Sequence, residues 1–240
     1  MIVADVRRHL TRDDAALCVQ LIGRGSAELL ERAECALRDG GIDAVLDDPA
    51  LPDALLESRQ GTHASLALFT YVMVRRELRA SGESDRVLAD YVASVMVHFA
   101  IRDRAQRIGA ADDEVYDSLA AIARDVECAD ARRSFLVRAH LGNYALWLSG
   151  VYPDFIERRR WRRGGPDLGY YEEMGARGFR LAADHRLAAQ HGLSMLYSMA
   201  AERFVRLRVA MNRVSDRLFF PNHHSPDRLM RQVRDEFGIA

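Results

Sequence analysis

Val87, Leu88, Tyr91, Val92, Val95, Met96 and Phe99 recur at spacings of three and four residues, which places them on one face of an α-helix. The same period returns in segment after segment from Asp13 to Phe237, and no stretch alternates as a half-buried strand does. Start and stop signals bracket each segment. Asp13 or Asp14 opens a first helix through Leu21. Ser26 opens AELLERAECALRD, which Gly40-Gly41 stops before a short turn, IDAVL. Residues 53–80 read as one long helix whose centre, SLALFTYVMV, is apolar on nearly every side. Leu66, Leu68, Phe69, Val72 and Met73 therefore belong at the centre of a bundle.

Ser84 or Asp85 opens the next helix, through Ile108, and Asp112 or Asp113 one to Glu127. Asp130 opens another to Gly150. Further helices follow over 167–190 and 194–219, with a terminal helix from Ser225. The connections are short and there is no repeat. The expected fold is all-α, a single-domain multi-helix bundle over residues 1–240 with a long central apolar helix.

YVMVRRELRASGESDRVLADYVASVMVHF and LGNYALWLSGVYPDFIERR with DLGYYEEMG resemble segments of a group of all-helical bacterial proteins. The resemblance covers about 100 residues; it implies a helical architecture and no particular chemistry.

Near-neutral charge argues against a globally basic nucleic-acid binder: the net formal charge is −1. Every basic residue is arginine, the pattern of a GC-rich genome, which weakens arginine richness as a functional signal. Residues 1–120 hold 14 Arg against 21 Asp and Glu, and residues 121–240 hold 20 against 14, so the second half has a positive balance. Cys18, Cys35 and Cys128 form no CxxC pair. Cys18 and Cys35 sit in amphipathic patterns and read as buried free thiols. The N-terminus lacks an apolar leader and no run reaches membrane-spanning length, so the expected location is cytoplasmic and away from the membrane.

Residues 141–175 are the least generic stretch. Tyr144, Trp147, Tyr152, Phe155, Trp161, Tyr170 and Tyr171 crowd around strong punctuation at Ser149-Gly150, Tyr152-Pro153 and Gly164-Gly165-Pro166. Gly142 inside a helix points to a close approach of another element. Asp154 and Asp167 are candidate caps. Arg158, Arg159, Arg160, Arg162 and Arg163 surround Trp161. They suit anion binding by bidentate bonds and stacking, or else pairing with Asp154, Glu157 and Asp167, with Trp161 under one guanidinium. The second reading is preferred.

His63, His98, His140 and His185 fall in helical segments. No ExxH, HxxxH or HExxH puts two ligands on one face, so no metal is assigned, although His98 and His140 are the pair that facing helices would bring together. Arg180 to His185 has the arginine-x4-histidine spacing of the HEPN nucleases, with Leu181 where that family carries a polar residue. His223-His224 has no assigned role. No phosphate loop, nucleophile elbow or supported Cys–His arrangement occurs, and no cofactor is called for. The first functional expectation is a non-catalytic interaction module that self-associates or meets a protein partner. The second is a small-ligand pocket or enzyme site formed by His140, Asn143, Tyr144, Tyr170, Tyr171 and Glu172. The third is a phosphate or nucleic-acid binder using the Arg158–Arg163 cluster.

Overall fold

The computed structural model describes residues 1–101, 103–109, 113–128 and 130–237. Among them the structure is all-helical, without strands. The chain forms two compact units, Ile2–Val97 and His98–Ala240 together with Met1.

In the first unit, α1 (Arg12–Ile22) packs on α2 (Ala27–Leu46), followed by α3 (Leu51–Glu57), α4 (Leu66–Ala80) and α5 (Arg86–Phe99), whose last two residues, His98 and Phe99, belong to the second unit. Thr11 caps α1, in place of Asp13 or Asp14. Its hydroxyl accepts from the Asp14 amide at 3.2 Å, and Asp14 returns the bond by accepting from the Thr11 amide at 2.9 Å. Ser26 caps α2 as expected. The backbone kinks at Gly41, where φ is 69°, and then resumes helix to Leu46.

The expected helix over 53–80 is broken in two. Ser58 caps a 3₁₀ turn over Arg59–His63, and Ser65 caps α4 by accepting from the Leu68 amide at 3.0 Å. Leu68 and Tyr71 to Val74 are buried, but Leu66 is exposed and Phe69 is only half-buried, so Phe69 is not the core residue its pattern suggests. Val87 is likewise exposed, outside the buried stripe of α5. Cys18 is fully buried, which pushes its thiol up to about 12, whereas Cys35 is half-exposed.

Charge also organises this unit. Burial pushes Asp47 upward, but Arg75 and Arg86 donate to its carboxylate at 2.9 and 2.6 Å and hold it below the usual carboxylate range. Arg7 grips Asp43 through one nitrogen at 2.8 and 2.9 Å while its backbone amide donates to Asp90.

In the second unit, Ser118 caps α6 (Leu119–Arg124); Asp113 does not, and Asp112 lies outside the described residues. The helix expected to reach Ile108 stops at Phe99. Asp130 caps α7 (Ala131–Val151), which is buried on almost every side. Then come α8 (Pro153–Arg163), α9 (Leu168–Ala183), α10 (Arg186–Gln190), α11 (Ser194–Glu202), α12 (Phe204–Leu218) and α13 (Pro226–Phe237). The segments expected over 167–190 and 194–219 each break once. His185 Nδ1 accepts from the Leu187 amide and starts α10, and Arg203 separates α11 from α12.

Among the described residues the most extensive helix contact is between α7 and α9. A methyl group built on Gly178 lies 2.7 Å from the Gly142 nitrogen and 3.0 Å from the Arg138 carbonyl oxygen, so the backbones touch at glycine. The close approach expected at Gly142 is real: its own added methyl group meets the Phe179 ring at 2.5 Å. Gly178→Ala should destabilise the unit by about 1–2 kcal/mol, overpacking exceeding the gain in helix propensity. Gly169→Ala, where the nearest atom is an ordinary 3.6 Å away, should not destabilise. Urea unfolding of both variants checks this.

Candidate functional site

Helix α7 carries a run of rings along one face. Phe99 meets His140 at 5.8 Å and Trp147 at 5.7 Å between centroids. His140 meets Tyr144 at 6.2 Å, Tyr144 meets Trp147 at 6.1 Å, and Trp147 meets Tyr152 at 5.1 Å. Tyr152 in turn meets Phe220 at 6.0 Å, so the run crosses from the end of α7 to the residues after α12. The spacing 140, 144, 147 places these groups within one turn-to-turn line.

Of the six residues read as a pocket, His140, Asn143, Tyr144 and Tyr171 are buried. Burial raises the Tyr144 and Tyr171 phenols, and Arg159 opposes the rise in both. Tyr144 also feels Tyr171, so these three side chains share one locality. Tyr170 is half-buried, edge-on to Tyr171 at 5.9 Å. Glu172 serves a different place: it accepts from Arg208 Nε at 2.8 Å.

His140 is held neutral. Burial, with help from Arg104, drives its imidazole down to about 3, and its Nε2 has no hydrogen-bond partner. It sits among Phe99, Tyr116 and Tyr144 as one more ring. Among the described residues, no group of three or more His, Cys, Asp or Glu side chains is disposed to hold a metal ion. His185 is spent on its cap and stacks on Phe135 at 5.4 Å, while Arg180 is exposed.

The arginine cluster lies on α8, a full helix of 11 residues where the sequence suggests a short turn. Asp154 does not cap it; its carboxylate faces His223 at 3.4 Å. Arg158 donates to the Asp154 carbonyl at 3.2 Å, and Arg160 lies 3.9 Å from the Glu157 carboxylate and 5.8 Å from the Trp161 ring centre. Trp161 itself is 72% exposed, and Arg162 and Arg163 are exposed with it. Asp167 caps α9, as its position suggests.

The most heavily built polar cluster joins α9, α12 and α13. Arg208 donates to Glu172, to Asn212 at 2.9 Å and to both Asp235 oxygens at 2.7 Å. Asn212 donates to the carbonyls of Ser149 and Gly150, and Ser215 to that of Val151, which satisfies the open end of α7. Asp216 accepts from Arg231 at 2.9 and 3.1 Å and from Gln232 at 2.8 Å, and Arg228 lies 3.1 Å away. Beside the cluster is a cavity of about 70 Å³ lined by Asp154, Phe155, Arg158, Asp216, Phe220 and His223, room for about two waters.

Helix α13 is docked with its polarity reversed. Arg228, Arg231, Gln232 and Asp235 face the protein, and Arg231 is 1% exposed. Leu229, Met230, Val233 and Phe237 lie on the opposite side and are 56, 60, 45 and 69% exposed. The amphipathic spacing is plain in the sequence; which side is buried is not, because that depends on Arg208 and Asp216, neither of which has a local motif.

Comparison with known proteins leaves this geometry to speak for itself: no family model, no curated protein and no solved structure matches the chain.

Removing the Asp216 carboxylate takes from buried Arg231 the acid it is hydrogen-bonded to and from Arg228 its counter-charge at 3.1 Å, while Arg228 keeps its bonds to the Phe220 and residue-216 carbonyls. Asp216→Ala should cost about 3–5 kcal/mol and release α13, read as faster amide exchange over residues 226–237. His140 gives a pH signature. Its folded-state value lies below the 6.5 of a free imidazole, so the unfolded chain takes up the proton first. The stability from burying it neutral is complete above pH 6.5 and drains away as pH falls toward 3. His140→Phe should flatten that part of the stability–pH curve, measured by denaturant unfolding between pH 7 and 4.

Proposed function

We propose that the chain is a helical interaction protein without chemistry of its own, cytoplasmic and active as a homo-oligomer. The reading rests on the apolar face that α13 turns to solvent. An amphipathic helix normally buries its apolar stripe, and each large side chain so buried contributes about 1.5–3 kcal/mol. Four such side chains on one exposed stripe form the kind of surface that a partner covers. Among the described residues no helix is long and apolar enough to cross a membrane.

The runner-up, a ligand site around Tyr144 and Tyr171, draws support from their shared neighbour Arg159 and loses Glu172 to Arg208. The phosphate or nucleic-acid reading has Arg162 and Arg163 exposed in its favour. Against it, Arg158 and Arg160 are engaged within their own helix.

Light scattering on the full chain over a range of concentrations tests the main reading. The wild type should gain mass with concentration. Met230→Glu combined with Val233→Glu should remain monomeric with an unchanged far-ultraviolet circular dichroism spectrum, since both side chains already face water. A wild type that stays monomeric throughout overturns self-association.

A further inference from the structure

Resting on that reading, we infer that two copies of this chain pair through α13 in antiparallel register about a two-fold axis. The stripe has the spacing of a short coiled-coil seam: Pro226, Met230, Val233 and Phe237 alternate by four and three residues, with Leu229 beside them. The charges flanking the seam select the orientation. Asp227 and Arg234 stand seven residues apart on the same edge, both exposed. In an antiparallel pair, equivalent edges face each other with the chain directions opposed. Setting Met230 against the second copy's Val233, and Pro226 against its Phe237, brings Asp227 opposite the second copy's Arg234. The two-fold axis repeats that pair in reverse, as a closed dimer requires. On the other edge Glu236 comes opposite Leu229, so no like charges meet.

A parallel pair offers none of this. Asp227 and Arg234 are then about 10 Å apart along the axis, Arg234 faces Leu229, and no opposite charges meet across the seam. The mixed flanking charges also lack the basic excess that draws an amphipathic helix to an anionic lipid surface. The buried face of α13 does not compete for these contacts, because Arg228, Arg231 and Asp235 already have partners in their own copy. The helix has 12 residues and is about 18 Å long. The seam therefore falls below the roughly 800 Å² per partner of a standard interface, and the dimer is reversible.

Charge exchange tests the register. Sedimentation equilibrium at low salt compares the full-length wild type, Asp227→Arg, Arg234→Asp and an equimolar mixture of the two variants. Each variant alone places two like-charge contacts where the wild type has two opposite-charge ones, so each should dimerise at least about tenfold more weakly. Their mixture should recover wild-type affinity as a heterodimer, because one copy then carries arginine and the other aspartate at both positions. That recovery also shows that each variant folds. Variants that dimerise like the wild type, or a mixture as weak as its components, overturn the antiparallel register while leaving self-association standing. A monomeric wild type removes both.

Discussion

A guanidinium taken out of water must bring its counter-charge with it, and in residues 98–240 that requirement decides what the last helix does. Asp216, just before the end of α12, holds Arg231 directly with Arg228 beside it, and one turn or two away Arg208 binds Asp235 and Glu172. Three carboxylates and three arginines from α9, α12 and α13 thus meet in one buried place, and Asn212 and Ser215 tie α12 to the open carbonyls of α7. The orientation of α13 follows from this cluster. Once its charged side is committed inward, its apolar side has nowhere to go but outward.

The same solution appears in residues 2–97, where Asp47 receives Arg75 and Arg86, and Arg7 spans Asp43 and Asp90. A chain whose basic residues are all arginine has only the planar fork to work with, and the fork suits a carboxylate bidentately. The buried arginines, Arg75, Arg208, Arg228 and Arg231, are therefore internal architecture. Even on α8, where five arginines crowd six positions, two of them turn to Asp154 and Glu157 of their own helix.

Much of the helical frame was legible. Ser26, Asp130 and Asp167 act as the caps their positions suggest, and Ser81 ends α4. The sequence reads as one helix over 53–80 and the structure breaks it for a physical reason: Ser65 starts α4 partly because its amide donates to Asp14, 51 residues earlier. Such a partner leaves no local periodicity. The same blindness affected the site. Tyr144 and Tyr171 were readable as aromatics flanking a loop, whereas Glu172 looked like their neighbour and belongs to Arg208, 36 residues on. Amphipathic spacing in α13 was equally visible, but spacing carries no sign, and the sign comes from Asp216 and Arg208.

The reversed docking of α13 has a thermodynamic corollary. Detaching a normal surface helix exposes its apolar stripe, which gives the opening a positive heat-capacity change and sensitivity to urea. The stripe of α13 is already wet in a single copy, so its detachment uncovers mostly charged and polar surface. Local opening of this helix in the monomer should therefore respond little to denaturant and show a heat-capacity change near zero or below it. Covering the stripe restores ordinary hydrophobic behaviour, so the last 12 helical residues would change their response to heat and urea with the state of assembly.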